Sequence, residues 1–219
     1  MTDIFREIEE DLRRDKYAKL FSRFAPVLIA LAVIVVLGVA GWRYWAYRQL
    51  QDSEAAGGQF EQALDLARDG KDSDAEAILK DLAATAPAGY RELARFRLAG
   101  ETGKRDAAAG AAAFDALAND ASLPSVLRDL ATLRAAILRL DTAGRQDLEQ
   151  KLTPLAAPGK PWRHTAREIL GLAALKANDY EAAGRWFDEI VSDPEAPPAL
   201  RRRIDLYLAL VRGGPVTVK

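Results

Sequence analysis

LGLAALKANDYEAAGRWFDEI, residues 170–190, sets small residues at Gly171, Ala174, Ala183 and Gly184 among aromatics and charges. The Asn-Asp pair at 178–179 interrupts two apolar-periodic segments, so the stretch reads as helix, turn, helix. The small residues have two explanations. One is a small-molecule pocket floored by Trp186 and Phe187. The other is a helix pair whose backbones approach closely at the small positions.

The surrounding sequence favours the second. Leu170-Gly171, Ala183, Phe187, Ile190 and Pro194 follow the spacing of a tetratricopeptide signature: a small residue where helices cross, then Ala-x3-Phe-x2-apolar, then a terminating proline. Ala63, Ala75, Leu79, Leu82 and Pro87 repeat these offsets, and Ala75 to Ala183 spans three periods of 36 residues. A third copy, Ala99, Gly110, Phe114 and Leu117, is out of phase by one residue. A fourth, around Leu148, Leu152 and Leu155, keeps the apolar positions and loses the small ones. One such helix pair cannot bury its apolar face alone, so its neighbours must stack on it. Trp186 and Phe187 are therefore expected in the core or in a groove, with Glu168, Leu172 and Leu175 lining the groove of the best-matched repeat. The packing positions are Ala75, Leu79, Pro87, Phe114, Leu170, Gly171, Ala183, Phe187, Ile190 and Pro194.

Composition agrees with an all-helical chain. Alanine is the commonest residue, strong helix formers supply most of the rest, and strand-like alternation is absent after the first forty residues. Prolines at 87, 124, 154, 158, 161, 194, 197 and 198 punctuate helical segments, and eight or nine helices are expected after the first apolar run. PPALRRRIDLYLALV (197–211) places Leu200, Ile204, Tyr207, Leu208 and Val211 on one face, as a closing helix would, with Arg201, Arg202 and Arg203 on the solvated side.

The apolar run FAPVLIALAVIVVLGVAGW (24–42) carries no charge. At 1.5 Å per residue it is roughly 29 Å long, close to the hydrocarbon core of a bilayer. Eleven of its residues are Leu, Ile, Val or Phe, contributing roughly −3 to −7 kcal/mol to insertion. Arg23 precedes it, and Trp42, Arg43, Tyr44 and Trp45 follow as an interfacial belt. A cleaved signal peptide is the competing account, but GVA (38–40) is a poor cleavage site and the preceding flank is long and mixed in charge. Arg6, Arg13, Arg14, Lys16, Lys19 and Arg23 before the run, against Arg43 and Arg48 after it, favour a cytoplasmic N-terminus and an exported remainder.

The expected organisation is a cytoplasmic amphipathic helix over 1–23, a transmembrane helix with its aromatic belt over 24–47, an exported tetratricopeptide-like domain over 48–212, periplasmic on the family resemblance that follows, and a tail over 213–219. The fold class is all-α: one N-terminal transmembrane helix, then an α-solenoid of antiparallel helix pairs.

GWRYW (41–45) after the apolar run, the last repeat (161–194) and the closing helix (199–211) together resemble the bacterial ancillary SecYEG translocon subunit family (YfgM-like). The two middle repeats, at 107–114 and 148–155, depart from its pattern. The resemblance implies an inner-membrane, single-pass protein whose partners are the SecYEG translocon and periplasmic chaperones.

Other classes find little support. Lys+Arg total 31 against 32 Asp+Glu, so no overall field attracts nucleic acid. Without cysteine there is no thiol catalysis, thiolate zinc site or disulfide. The one histidine, His164, at a charged helix start, reads as a solvated surface residue. No GxSxG, phosphate-cradling loop or metal-ligand spacing occurs, so no enzyme, cofactor, metal or small-molecule substrate is expected. What remains is a membrane-anchored interaction module, or else a structural or assembly subunit of another inner-membrane complex, whether respiratory, cytochrome-maturation or cell-division.

Overall fold

The computed structural model describes residues 3–214, with side chains from residue 26 onward. The described residues form nine helices and no strand: α1 (Asp3–Arg68), α2 (Asp72–Thr85), α3 (Ala88–Arg105), α4 (Ala107–Ala118), α5 (Ser125–Arg139), α6 (Arg145–Ala156), α7 (Arg163–Lys176), α8 (Tyr180–Val191) and α9 (Pro198–Gly213). The chain divides into two compact units between Gly57 and Gly58, inside α1.

The first unit is the longer part of α1. Val27, Leu28, Ile29, Leu31, Val33 to Leu37 and Val39 are exposed, as are Trp42, Tyr44, Trp45 and Tyr47. Among the described residues, α1 is the one helix long and apolar enough to cross a membrane, a test that a signal sequence also passes. Arg43 is exposed as well, and the Arg23 side chain lies outside the described residues. Pro26 sits within the helix.

The second unit starts with the last turns of α1 and continues through α2–α9. Each helix from α2 onward packs on the next, and α5 also meets α7. The helix ends follow from local chemistry. Pro87, Pro124 and Pro197 stand immediately before α3, α5 and α9, where a missing N–H costs nothing. Asp106 caps α4 by accepting from the Ala108 and Ala109 amides, and Asp179 caps α8 through Ala182. Asn178 adopts φ 59°, the left-handed turn that reverses the chain between α7 and α8. Pro154 departs from the expected punctuation: it lies inside α6, near its C-terminus, and the helix ends two residues later.

Three local cores succeed one another along the stack. Ala99, Ala111, Phe114, Leu117, Ala131 and Ala135 join α3, α4 and α5. Leu133, Leu148, Leu152, Ile169 and Leu170 join α5, α6 and α7. Ala183, Phe187, Ile190, Ile204 and Leu208 join α7, α8 and α9 through Ala174. This is the nearest-neighbour construction of a solenoid rather than a single central core. Ties between alternate helices add to it. The Trp162 indole donates to the Val126 carbonyl at 2.9 Å, and Lys176 donates to the Leu140 carbonyl at 3.0 Å.

Small residues mark the crossings. A Cβ at Gly171 would run into the Phe187 ring, and one at Gly110 would run into the Gly103 backbone. Ala75, Leu79, Phe114, Leu170, Ala183, Phe187 and Ile190 are all buried. Pro194 is exposed in the α8–α9 connection.

Candidate functional site

The second unit holds an apolar groove of about 630 Å³ between α3 and α5. Both helices carry two stripes. On α5, Ala131 and Ala135 pack inward against α4, whereas Leu127, Leu130, Arg134 and Ile137 recur at helical spacing on the groove face. On α3, Gly89, Glu92, Leu93, Phe96, Arg97 and Gly100 face the same space. Phe60 from the last turns of α1 and Phe114 from α4 also line it, with Glu101, Lys104 and Leu138 at the C-terminal turns of α3 and α5. Phe96 and Phe114 meet with ring centroids 6.0 Å apart and tilted by 57°, an aromatic contact at the groove floor. Leu93 is 53% exposed and Ile137 45%, an apolar surface left in water.

Charge is concentrated toward one end. Glu101 is only 7% exposed, and its carboxylate pairs with Arg97 at 2.7 Å and Lys104 at 2.8 Å. The Arg97 Nε is buried and has no hydrogen-bond partner. Gly103 packs against the Leu138 side chain, so the C-terminal turns of α3 and α5 sit side by side there. Ion pairs brace the walls from outside. Arg95 on α3 meets Asp120 at 2.6 Å, and Arg139 on α5 meets Asp115 on α4 at 2.6 Å. Hydrogen bonds from the Ser122 hydroxyl, Arg95 and the Ser122 amide hold the Asp120 carboxyl at about 2.

The residues anticipated for a groove on the last repeat are placed differently. Glu168 accepts a forked pair from Arg203 at 2.7 and 2.8 Å. Leu172 and Leu175 are half-buried against the α7–α9 core. None of the three lines the α3–α5 groove. Arg203 stays about half exposed while it makes this fork, so it remains on the solvated side expected of the arginine triplet.

His164 is not the solvated surface residue its charged surroundings suggest. Its side chain is 13% exposed and its Nε2 lies 2.9 Å from the Asp193 carboxylate. Arg163 meets the same carboxylate at 2.8 Å, and Arg167 approaches it at 3.7 Å while donating to the Ala156 carbonyl. Arg163, the Glu195 amide and His164 together hold the Asp193 carboxyl far below the usual carboxylate range. This cluster ties the start of α7 to the α8–α9 connection. The sequence hid it because the partners lie about thirty residues apart, each inside an ordinary charged segment.

Among the described residues no group of three or more His, Cys, Asp or Glu is arranged to hold a metal ion. The groove offers apolar surface, an unsatisfied guanidinium nitrogen and flanking charges, which suits it to binding.

A model of the tetratricopeptide repeat-like domain family matches residues 19–196. No curated protein and no solved structure matches the chain.

Proposed function

The chain belongs to the tetratricopeptide repeat-like domain family, and from that membership we propose a membrane-anchored protein-interaction module whose groove between α3 and α5 holds a segment of another protein. Domains of this kind are typically non-catalytic and bind along an extended surface. The observation that carries the proposal is the groove itself, with Leu93 and Ile137 about half exposed beside Phe96 and Phe114.

The anchor is the apolar part of α1, inserted with the N-terminus cytoplasmic and the repeat domain periplasmic. Its support is the uncharged run 24–42, the exposed aromatics that follow and the basic bias before it. On this reading residues 1–23 are the cytoplasmic helix, 24–47 the membrane segment and 48–212 the exported domain. Tethering raises the effective concentration of the groove beside any membrane partner. The resemblance of 41–45 and of the last repeat to ancillary SecYEG translocon subunits supports a place at the export channel, where the groove would hold an emerging chain or a receiving chaperone.

The test is photo-crosslinking in intact bacterial membranes, from probes at Leu93, Leu130 and Ile137 with Lys151 on α6 as control. Adducts to translocon subunits, periplasmic chaperones or exported chains at the groove positions alone are expected. A single adduct to a subunit of a respiratory, cytochrome-maturation or division complex would replace the export assignment with an assembly role. Adducts at Lys151 and none in the groove would remove the groove from the function.

A further inference from the structure

We propose that the occupant of the groove is an amphipathic helix lying antiparallel to α3 and α5, acidic in its first turn and basic in its last. The proposal rests on the groove being the binding site and adds the chemistry and direction of what binds.

The direction follows from how charge is distributed along the groove. Glu92, in the second turn of α3, stands near the end where α3 and α5 begin. Among the described residues it takes no ion-pair partner, and neither does Arg134 toward the far end. Arg134 and Lys104 lie toward that far end and Arg97 stands midway along α3, and Glu101, the one lining carboxylate there, is already shared by Arg97 and Lys104. The Arg97 Nε adds a buried donor with nothing to receive it. The groove therefore presents the unpaired acid Glu92 toward one end, the unpaired cation Arg134 toward the other and Leu93, Phe96 and Leu130 between, with Ile137 and Leu138 continuing the apolar lining past Arg134.

A bound segment complements this with a base, an apolar stripe and an acid, in that order from the Glu92 end. The twelve residue steps from Glu92 to Lys104 correspond to about 18 Å at 1.5 Å per residue, so a helical occupant of about three turns covers the groove. Two features set its sense. Acidic side chains are favoured in a helix's first turn and basic ones in its last, so the occupant's N-terminus belongs at the Arg134 end. That orientation also opposes its dipole to those of α3 and α5.

The test uses full-length protein in detergent micelles and two fluorescent sixteen-residue peptides with one leucine stripe. The first carries Glu in its first turn and Lys in its last, and the second has these exchanged. The first peptide is intrinsically the better helix, so a preference by the native protein alone decides nothing. The deciding quantity is the affinity ratio of the two peptides in native protein, divided by the same ratio in the E92K/R134E variant. Reversing two exposed pairs changes this quotient by about tenfold. A quotient near one, with both peptides bound and both lost on Leu93→Asp, would overturn the polarity and leave the groove as the site. Failure of both peptides to bind, or binding indifferent to Leu93→Asp, would overturn the groove reading and the polarity with it. Circular dichroism of each variant verifies that its helices are retained.

Discussion

Replacing Gly110 by alanine tests whether backbone contact between α3 and α4 sets the geometry of the groove floor. A Cβ at this position would stand 2.6 Å from the Gly103 nitrogen and 3.1 Å from the Ala99 carbonyl oxygen, and closer still to the Gly103 Cα. These are backbone atoms, so no rotamer change relieves them. The two helices must separate by about 1 Å, a gap at which packed atoms forfeit up to about half of their dispersion energy. Overpacking of this kind costs about 1–3 kcal/mol, and a rigid neighbour places Gly110 toward the upper end. Alanine recovers about 1 kcal/mol of helix propensity. The net loss is therefore about 1–2 kcal/mol, or a fall in Tm of about 2–8 °C for a domain of this size. Gly100, one turn earlier on α3, has nothing within 4 Å of an added Cβ. Gly100→Ala should raise stability by up to about 1 kcal/mol through the same propensity difference. Thermal unfolding of the full-length protein in detergent, followed by circular dichroism at 222 nm as a readout of helix content, compares the pair. A Gly110→Ala protein as stable as the native one would refute close backbone packing at this crossing.

Three further outcomes follow from the packing and the ion pairs. Phe187→Ala empties the centre of the α7–α9 core and should cost about 3–5 kcal/mol, with hydrogen exchange accelerated in α7–α9 and largely unchanged in α3–α5, because stability in a stack is transmitted between neighbours; uniform acceleration would contradict the succession of local cores. Glu101→Gln removes the charge shared by Arg97 and Lys104, and because these cations are partly solvated the loss in denaturant titration should be only about 1 kcal/mol. The Asp120 carboxyl falls from 3.8 to about 2 on folding, so its contribution is present above pH 3.8 and disappears as pH falls through about 2. Asp193 acts in the same direction and further into acid. Asp120→Asn should flatten the acid loss of stability in that window, and an unchanged acid titration would exclude Asp120 as its source.

The helical stack was legible in the sequence because its determinants are local. Proline before a helix, an aspartate able to cap one, and small residues recurring with Phe187 and Ile190 each act within a few residues of themselves. Gly171 beneath Phe187 shows how far such reasoning reaches: the spacing that implies a crossing also brings the two residues together, since one short turn joins their helices. Pro154 shows its limit. Proline there gives up its own bond to the Gln150 carbonyl, yet α6 runs two residues past it, so the residue type alone does not place the helix end.

Local pattern determined the helices, their approximate ends, the apolar run at 24–42 and the small residues at the crossings. Tertiary structure alone decided which apolar stripe became core and which became groove. Leu130 and Ala131 are neighbours on one helix, yet Ala131 is sealed against α4 while Leu130 lines open space. No one-dimensional pattern separates them, because a stripe is buried or exposed according to the partner helix that arrives. The same holds for His164 and Asp193, and for Glu168 and Arg203, whose pairing depends on the register of helices about thirty residues apart. Helix formation is a property of short segments, whereas a groove is a property of the space that the stacked helices leave unfilled.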